Sequence, residues 1–365
     1  MRHNKLEVKK FLLKVMAGAC AANVVAMLLV GFSDRLEPAE HPILSSAGLT
    51  FPFFILLNLI FLTFFLFTKK TYALIPFAGF VACYFPIRTY SPINLPSTPP
   101  PGAVKVLSYN IYSFGGMDLA DDTDNPITQY IIRSNADVVC LQEVLLNYAA
   151  ATPLKDKYEH YDTAFACKGG ECVAILSKYP ILKKERIKYK SRGNLSVAFT
   201  LKMGTDTVVV INNHLETSGL SLADRAQFKS MVKGDTKTDT MRRTSRRLLA
   251  KLGDAASIRA PQAEAVAEYV AKCSYPVILC GDFNDSPISY ARRVIADGLT
   301  DCYVATGNGP GISYHKSAIF VRIDNIMCSR QWQPYGCKVD ASIATSDHYP
   351  IYCWLKLLPK DKNKK

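Results

Sequence analysis

Eight polar residues stand where apolar runs of the chain end, and their types are those that phosphate and metal chemistry requires. Asn110 closes the run Leu107-Ser108-Tyr109-Asn110, Glu143 closes Cys140-Leu141-Gln142-Glu143, and His214 follows Ile211-Asn212-Asn213. Asp282 and Asn284 lie in Gly281-Asp282-Phe283-Asn284, Asp324 in Arg322-Ile323-Asp324-Asn325, and Asp347 and His348 in Ser346-Asp347-His348-Tyr349-Pro350. Taken singly, each reads as an ordinary turn residue or a satisfied histidine. Together they bring carboxylates, amides and imidazoles to the loops leaving strand ends, which is where α/β folds place their sites. Hard oxygen donors with amides and imidazoles suit Mg²⁺ or Mn²⁺ rather than a thiolate-bound metal.

The elements that must position these residues are short apolar runs between polar turns. Val104–Tyr109, Val138–Leu141, Val173–Leu176, Val208–Asn212, Val277–Cys280 and Ile351–Leu355 are of strand length. Several are continuous rather than alternating, as expected of strands covered on both faces. Helical patterns fall between them, notably Asn125–Ser134 and Pro261–Lys272. The mixture predicts an α/β layered domain over residues 102–358, followed by a Lys-rich tail at 359–365. Within it, Gly219–Ala260 carries ten Lys/Arg against four Asp/Glu and reads as a helical basic insertion, either a solvated face or an anion-binding surface.

The ordered motifs resemble the endonuclease/exonuclease/phosphatase superfamily, which includes nucleases, deadenylases, inositol polyphosphate phosphatases and sphingomyelinases. Gly281-Asp282-Phe283-Asn284 and Ser346-Asp347-His348-Tyr349-Pro350 carry the resemblance, which extends from Val104 to about Leu355. It implies a four-layer α-β-β-α sandwich and metal-assisted attack of water on phosphorus. By that resemblance Glu143 is the principal metal carboxylate, supported by Asn110 and Asp347. His348, oriented by Asp324, contacts the scissile phosphate and transfers a proton. Asp282 positions or deprotonates the water, while Asn284 and His214 bind phosphate oxygens. Asn213 stands where relatives usually carry Thr, and the basic insertion lengthens a connection that is normally short. Gly169-Gly170 is expected to be structural, and Arg192 to form a salt bridge or to touch substrate.

Upstream, residues 1–90 read as a membrane region. Val15–Phe32 is an uncharged run of 18 residues and Leu49–Thr68 one of 20, whereas Tyr72–Ile87 has 16 and includes Pro76 and Pro86. A spanning helix needs about 20 apolar residues, with a lower limit near 17, so the first two qualify and the third is marginal. Basic residues before the first run, and Lys69-Lys70 after the second, belong on the cytoplasmic side. The expectation is a multi-pass protein of a bacterial inner membrane with its catalytic domain on the periplasmic side. Residues 91–101, with five prolines, read as a stiff linker.

The 365-residue chain has a formal net charge of +13, of which about +8 lies beyond the linker and favours anionic partners. Eleven cysteines show no zinc-site spacing; Cys167 and Cys172 flank a turn and are placed to pair in an oxidising compartment. The leading reading is a membrane-anchored phosphodiesterase, nuclease-like, taking an anionic phosphate ester at the bilayer without an obligate protein partner. The alternatives are an enzyme for phospholipid or inositol phosphate and, remotely, a non-catalytic scaffold of the same fold. The spans carry no charged residue that would serve a transport path.

Overall fold

A computed structural model describes residues 2–167, 172–235 and 238–359. Four helices come first, α1 (Arg2–Gly31), α2 (Phe51–Thr68), α3 (Leu74–Ala82) and α4 (Tyr84–Tyr90). Two stretches, Glu7–Arg35 and Leu44–Thr68, are long and apolar enough to cross a membrane, and α3 and α4 form a pair bent by 64° that could make a third span. The bend falls at Cys83, just before Pro86, whose ring nitrogen cannot continue the helical hydrogen-bond ladder. Buried Asn58 of α2 donates from Nδ2 to the Pro76 carbonyl of α3 at 2.8 Å, and Asn23 of α1 reaches Asn58 Oδ1 at 3.5 Å. Such bonds between apolar helices contribute roughly 0.6–2 kcal/mol each.

Twelve strands follow in chain order. They are β1 (Val104–Asn110), β2 (Val138–Gln142), β3 (His160–Phe165), β4 (Cys172–Ser177), β5 (Ile181–Ile187) and β6 (Leu195–Met203). Then come β7 (Asp206–His214), β8 (Val277–Asp282), β9 (Leu299–Asp301), β10 (Asp324–Ser329), β11 (Trp332–Val339) and β12 (Ile351–Leu357). They build two six-stranded sheets, ordered β11-β12-β1-β2-β4-β3 and β5-β6-β7-β8-β10-β9. In each, a parallel pair lies at the centre, β1 with β2 and β7 with β8, and the remaining pairs are antiparallel. Val106, Cys140, Ile175, Phe199, Val210 and Ile326 pack between the sheets with no exposed area. Burying side chains of this size contributes about 1.5–3 kcal/mol each.

Helices cover the outer faces. After the single-turn α5 (Tyr112–Gly115) and α6 (Met117–Ala120), α7 (Pro126–Ser134) and α8 (Thr152–Lys157) lie on the first sheet. Asn125 caps α7 by accepting from the Ile127 and Thr128 amides. On the second sheet lie α10 (Thr238–Lys272) and α11 (Tyr290–Ala296), with α9 (Leu222–Lys233) against α10 and α12 (Cys302–Thr306) at the end of the inter-sheet core. The expected α/β sandwich is thus observed, with all six expected strands. The helix expected to begin at Pro261 is instead the last part of the 35-residue α10. Pro261 costs that helix one hydrogen bond, while Ala263 and Val266 on the same turn are fully buried against β7 and β8. The basic stretch forms α9 and the start of α10. Cys172 is buried at the head of β4, while Gly169-Gly170 lies outside the described residues. Four thiols meet at one end of the inter-sheet core, Cys302, Cys328, Cys337 and Cys353, with Cys302 Sγ 3.7 Å from Cys328 Sγ.

The helical region and the sandwich are sewn together. Gly48, just before α2, lies so close to Ile288 that a Cβ there would stand 2.0 Å from the Ile288 carbonyl oxygen. Ile288 in turn packs with Met27, Phe51 and Tyr90. Ser257 of α10 donates to the Pro38 carbonyl at 2.8 Å, and Arg293 Nε to that of Asp34 at 2.8 Å. The buried Arg322 guanidinium donates to the carbonyls of Pro310 at 2.8 Å, Tyr90 at 3.3 Å and Thr89 at 2.5 Å. The proline-rich segment is no free tether either, since Asn94 Nδ2 donates to the Val304 and Gly307 carbonyls at 3.1 and 2.6 Å.

Candidate active site

The site lies where the central strands of both sheets end. Asn110 ends β1 opposite Gln142 of β2, and His214 ends β7 opposite Asp282 of β8, which also faces Asp324 at the start of antiparallel β10. Beneath, Gln142 Nε2 donates across the sheets to Asn212 Oδ1 at 2.7 Å, and Asn212 Nδ2 donates to the Leu141 and Ala174 carbonyls. This fully buried bridge fixes how one sheet sits over the other. Gly281 is required by its surroundings: φ is +131°, and a Cβ would lie 1.9 Å from the Asn213 carbonyl oxygen. Glu143 and Asn284 both hold φ of +52°, a left-handed conformation that costs non-glycine residues of order 1–3 kcal/mol and clusters at functional sites.

All eight residues expected from the sequence lie at these strand ends or in the loop before β12. Asp324 Oδ2 is 2.8 Å from His348 Nδ1, and His348 Nε2 is 3.6 Å from Asp282 Oδ2. Burial alone would lower the His348 imidazole, but Asp324 and Asp282 outweigh it and hold its pKa up at about 10. The ring therefore carries both protons near neutral pH, with Nε2–H facing Asp282. Burial raises the Asp282 carboxyl to about 7, against the opposing pull of His348. His214 is driven down to about 4 by burial and by the neighbouring His348 charge, so its imidazole is neutral. Its Nε2 lies 3.7 Å from Glu143 Oε1 and 3.9 Å from Asp282 Oδ2. Asn284 donates its backbone N–H to Asp282 Oδ1 at 2.7 Å and its amide to the Leu215 carbonyl at 3.0 Å.

Asn110 Nδ2 is shared between Glu143 Oε1 at 2.9 Å and Asp282 Oδ2 at 3.1 Å. Next to Asp347, Ser346 Oγ donates to the Asn110 carbonyl at 2.8 Å and joins the two loops. Glu143, Asp282, Asp324 and Asp347 thus bring four carboxyl groups to the site, oxygen donors of the kind a divalent cation binds. By spacing alone, Asp282, Asp324 and His348 also place three donor atoms within 4.8 Å of one another. His348 takes Asp324 Oδ2, while Asp324 Oδ1 is buried without a hydrogen-bond partner among the described residues.

A family model described as the endonuclease/exonuclease/phosphatase family matches residues 107–348, a span that contains every residue of this cluster. The chain belongs to that family. Members of the endonuclease/exonuclease/phosphatase family are hydrolases acting on phosphoester bonds, and the chain is one such enzyme. A second model, described as a domain of unknown function (DUF8431), matches residues 11–90. No curated protein matches the chain by sequence. Among solved structures, an endonuclease/exonuclease/phosphatase from Beutenbergia cavernae aligns at 18% identity with a TM-score of 0.51, covering 70% of this chain and 72% of its own. The human Nocturnin catalytic domain with bound sulfate anion aligns at 14% identity and TM-score 0.50, covering 71% and 96%. The D. rerio TDP2 complex with single-strand DNA product gives 17% identity, TM-score 0.49, and coverage of 70% and 99%. At these identities the likeness to the first two is one of fold.

Within this member of the family, several functional contacts had no separate signal in the sequence. Arg225 of α9 enters the site from the basic stretch: its Nη1 donates to Tyr314 Oη at 2.5 Å and stands 3.8 Å from Asp347 Oδ2. Tyr314 in turn packs edge-on against the His348 ring at 5.2 Å. Only the charge run pointed toward Arg225, and it singled out no residue. Other charges of that run are used internally, Arg247 and Lys251 on Asp224 at 2.9 and 2.5 Å. Buried Arg259 grips Asp285 at 3.0 Å and the Glu216 carbonyl at 3.0 Å behind the site. Arg192 forms an exposed salt bridge with Asp254 at 2.6 Å, one of the two roles expected of it. A separate cavity of about 680 Å³, lined by Tyr303, His315, Phe320 and Tyr349 among others, adjoins the site without including any of its eight residues.

Proposed function

We propose that the protein is a membrane-anchored, divalent-metal-dependent phosphodiesterase. The observation that carries this reading is the buried Asp324–His348 pair facing Asp282, with Glu143 and Asn110 beside it. Glu143, Asn110 and Asp347 would hold Mg²⁺ or Mn²⁺, which when bound neutralises charge developing on the phosphate. Asp282 orients a water and accepts its proton at Oδ2. The water oxygen joins phosphorus as one P–O ester bond breaks, and His348 Nε2 supplies the proton to the leaving oxygen. Nothing is oxidised or reduced. His214, Asn284 and Arg225 contact the phosphate oxygens, where neutral donors and one guanidinium stabilise the anion.

The anchor is α1 and α2, with α3 and α4 as a bent third span. The sandwich packs on the α1 C-terminal and α2 N-terminal ends, opposite the basic amino terminus and Lys69-Lys70. On the positive-inside rule, our reading is that catalysis takes place outside the cytoplasm, on the periplasmic side of a bacterial inner membrane.

The test is hydrolysis of bis(4-nitrophenyl) phosphate by the full-length protein with Mg²⁺, with Mn²⁺ and in chelator. Turnover requires the metal and falls by at least roughly 10²-fold in Glu143→Gln, with unchanged circular dichroism. Undiminished turnover in that variant would remove Glu143 from the site.

A further inference from the structure

We infer that the substrate is a phosphate ester resident in the bilayer, reached at the depth of the lipid headgroups; this rests on the phosphodiesterase reading above. The argument is one of height. Helix α2 runs for 18 residues from Phe51 to Thr68, about 27 Å at the rise of an α-helix. The hydrocarbon core is about 30 Å thick, so α2 by itself nearly crosses it. Lys69 and Lys70 mark one boundary, and the apolar stretch Leu44–Thr68 meets the other near the start of α2.

Leu49 precedes Phe51 by two residues, and it packs against the buried cluster of Tyr314, Val321 and Ile323. Tyr314 stacks edge-on to His348 with ring centroids 5.2 Å apart. That one small cluster therefore lies between the start of the hydrophobic span and the proton-bearing ring of the site. Two side-chain contacts, of about 4 Å each, thus join the apolar stretch to His348, a reach comparable with the headgroup layer, which is about 5–8 Å thick on each side.

Two further features fit that placement. The contacts of Gly48 with Ile288 and of Arg322 with Thr89 and Tyr90 hold the height rigidly. Phe320, 60% exposed, stands between Ile319 and Val321 of the Tyr314 cluster and offers an apolar side chain at the rim. A polynucleotide reaching the same point would have to lie along an anionic surface that repels it. A lipid arrives by lateral diffusion with its phosphate already at the right level.

The test uses the full-length protein reconstituted with Mg²⁺ into vesicles of phosphatidylglycerol, phosphatidylethanolamine and phosphatidylcholine, with headgroup release read by phosphorus NMR. Parallel reactions contain bis(4-nitrophenyl) phosphate, the deacylated glycerophosphodiesters of the same headgroups, and a single-stranded oligonucleotide. The expected result is cleavage of at least one vesicle lipid, at least roughly 10²-fold faster than its deacylated counterpart at equal bulk concentration. Cleavage of bis(4-nitrophenyl) phosphate with the vesicle lipids untouched would overturn the lipid inference and leave the phosphodiesterase reading standing. So would an oligonucleotide or a deacylated diester that is cleaved as fast as any lipid. Hydrolysis of none of the substrates would overturn both.

Discussion

Asp324 Oδ2 and His348 Nδ1 lie 2.8 Å apart, and each residue is almost wholly enclosed by protein. The carboxylate fixes which ring nitrogen faces the site, because Nδ1 is committed to Asp324 and only Nε2 is left to meet substrate. Asp324→Asn keeps the shape and removes the charge. We expect kcat for bis(4-nitrophenyl) phosphate to fall by roughly 10²–10⁴-fold, with KM little changed. Steady-state kinetics on the purified variant measure both.

Asp282 shows the opposite balance between stability and function. Burial raises its carboxyl to about 7 in the folded protein, whereas an unfolded chain has it near 3.9. The folded state thus binds the proton more tightly, and ionising this group costs stability in full above about pH 7. The cost shrinks as pH falls through the window from 7 to 4 and is absent below it. Asp282→Asn should therefore melt higher than the parent at pH 8, by roughly 2–4 °C per kcal/mol gained, and show no gain near pH 4. Thermal unfolding in detergent with chelator present checks this, and a gain independent of pH would refute it.

Arg225 reaches the rim of the site from α9, 3.8 Å from Asp347. A charge-assisted hydrogen bond to a phosphate oxygen is worth about 1.5–3 kcal/mol. Arg225→Gln is expected to raise KM by roughly 10- to 10²-fold while kcat falls far less, and Arg225→Lys to recover part of the loss. A purely structural role would instead lower the melting temperature and leave KM alone.

Gly281→Ala addresses the strand end itself. Its Cβ would stand 1.9 Å from the Asn213 carbonyl at a φ of +131°, so β7 and β8 must separate. We expect a loss of at least about 2 kcal/mol in stability and, since Asp282 is the next residue, nearly complete loss of turnover. Chemical denaturation alongside the activity assay reads both.

The eight site residues were legible because most of them stand beside apolar runs, where an isolated polar side chain stands out against its neighbours. The six strands read from the sequence are those nearly continuous runs. The unread ones show why the rest was harder. Strand β5 is Ile-Leu-Lys-Lys-Glu-Arg-Ile at a sheet edge, half exposed and charged, and β3 and β11 are edge strands of similar character. In β10, the apolar run Ile326-Met327-Cys328 is only three residues long. Arg225 and Tyr314 meet across 89 positions of chain, a pairing made by tertiary structure that no local pattern carries. The same holds for the grip of Arg322 on α4.

That grip has a practical side. Two of the three carbonyls that Arg322 holds, those of Thr89 and Tyr90, belong to the hydrophobic region. A chain cut before Gly102 would lose them together with the Asn94 bonds and the cover that Leu49 lays on the cluster of Tyr314, Val321 and Ile323. The buried guanidinium would be left short of acceptors, two residues from the carboxylate that orients His348, at a cost of about 1–3 kcal/mol for each unmade bond. The hydrophobic helices are thus the missing wall of the catalytic domain, and a shortened soluble version would be an injured enzyme rather than a smaller one.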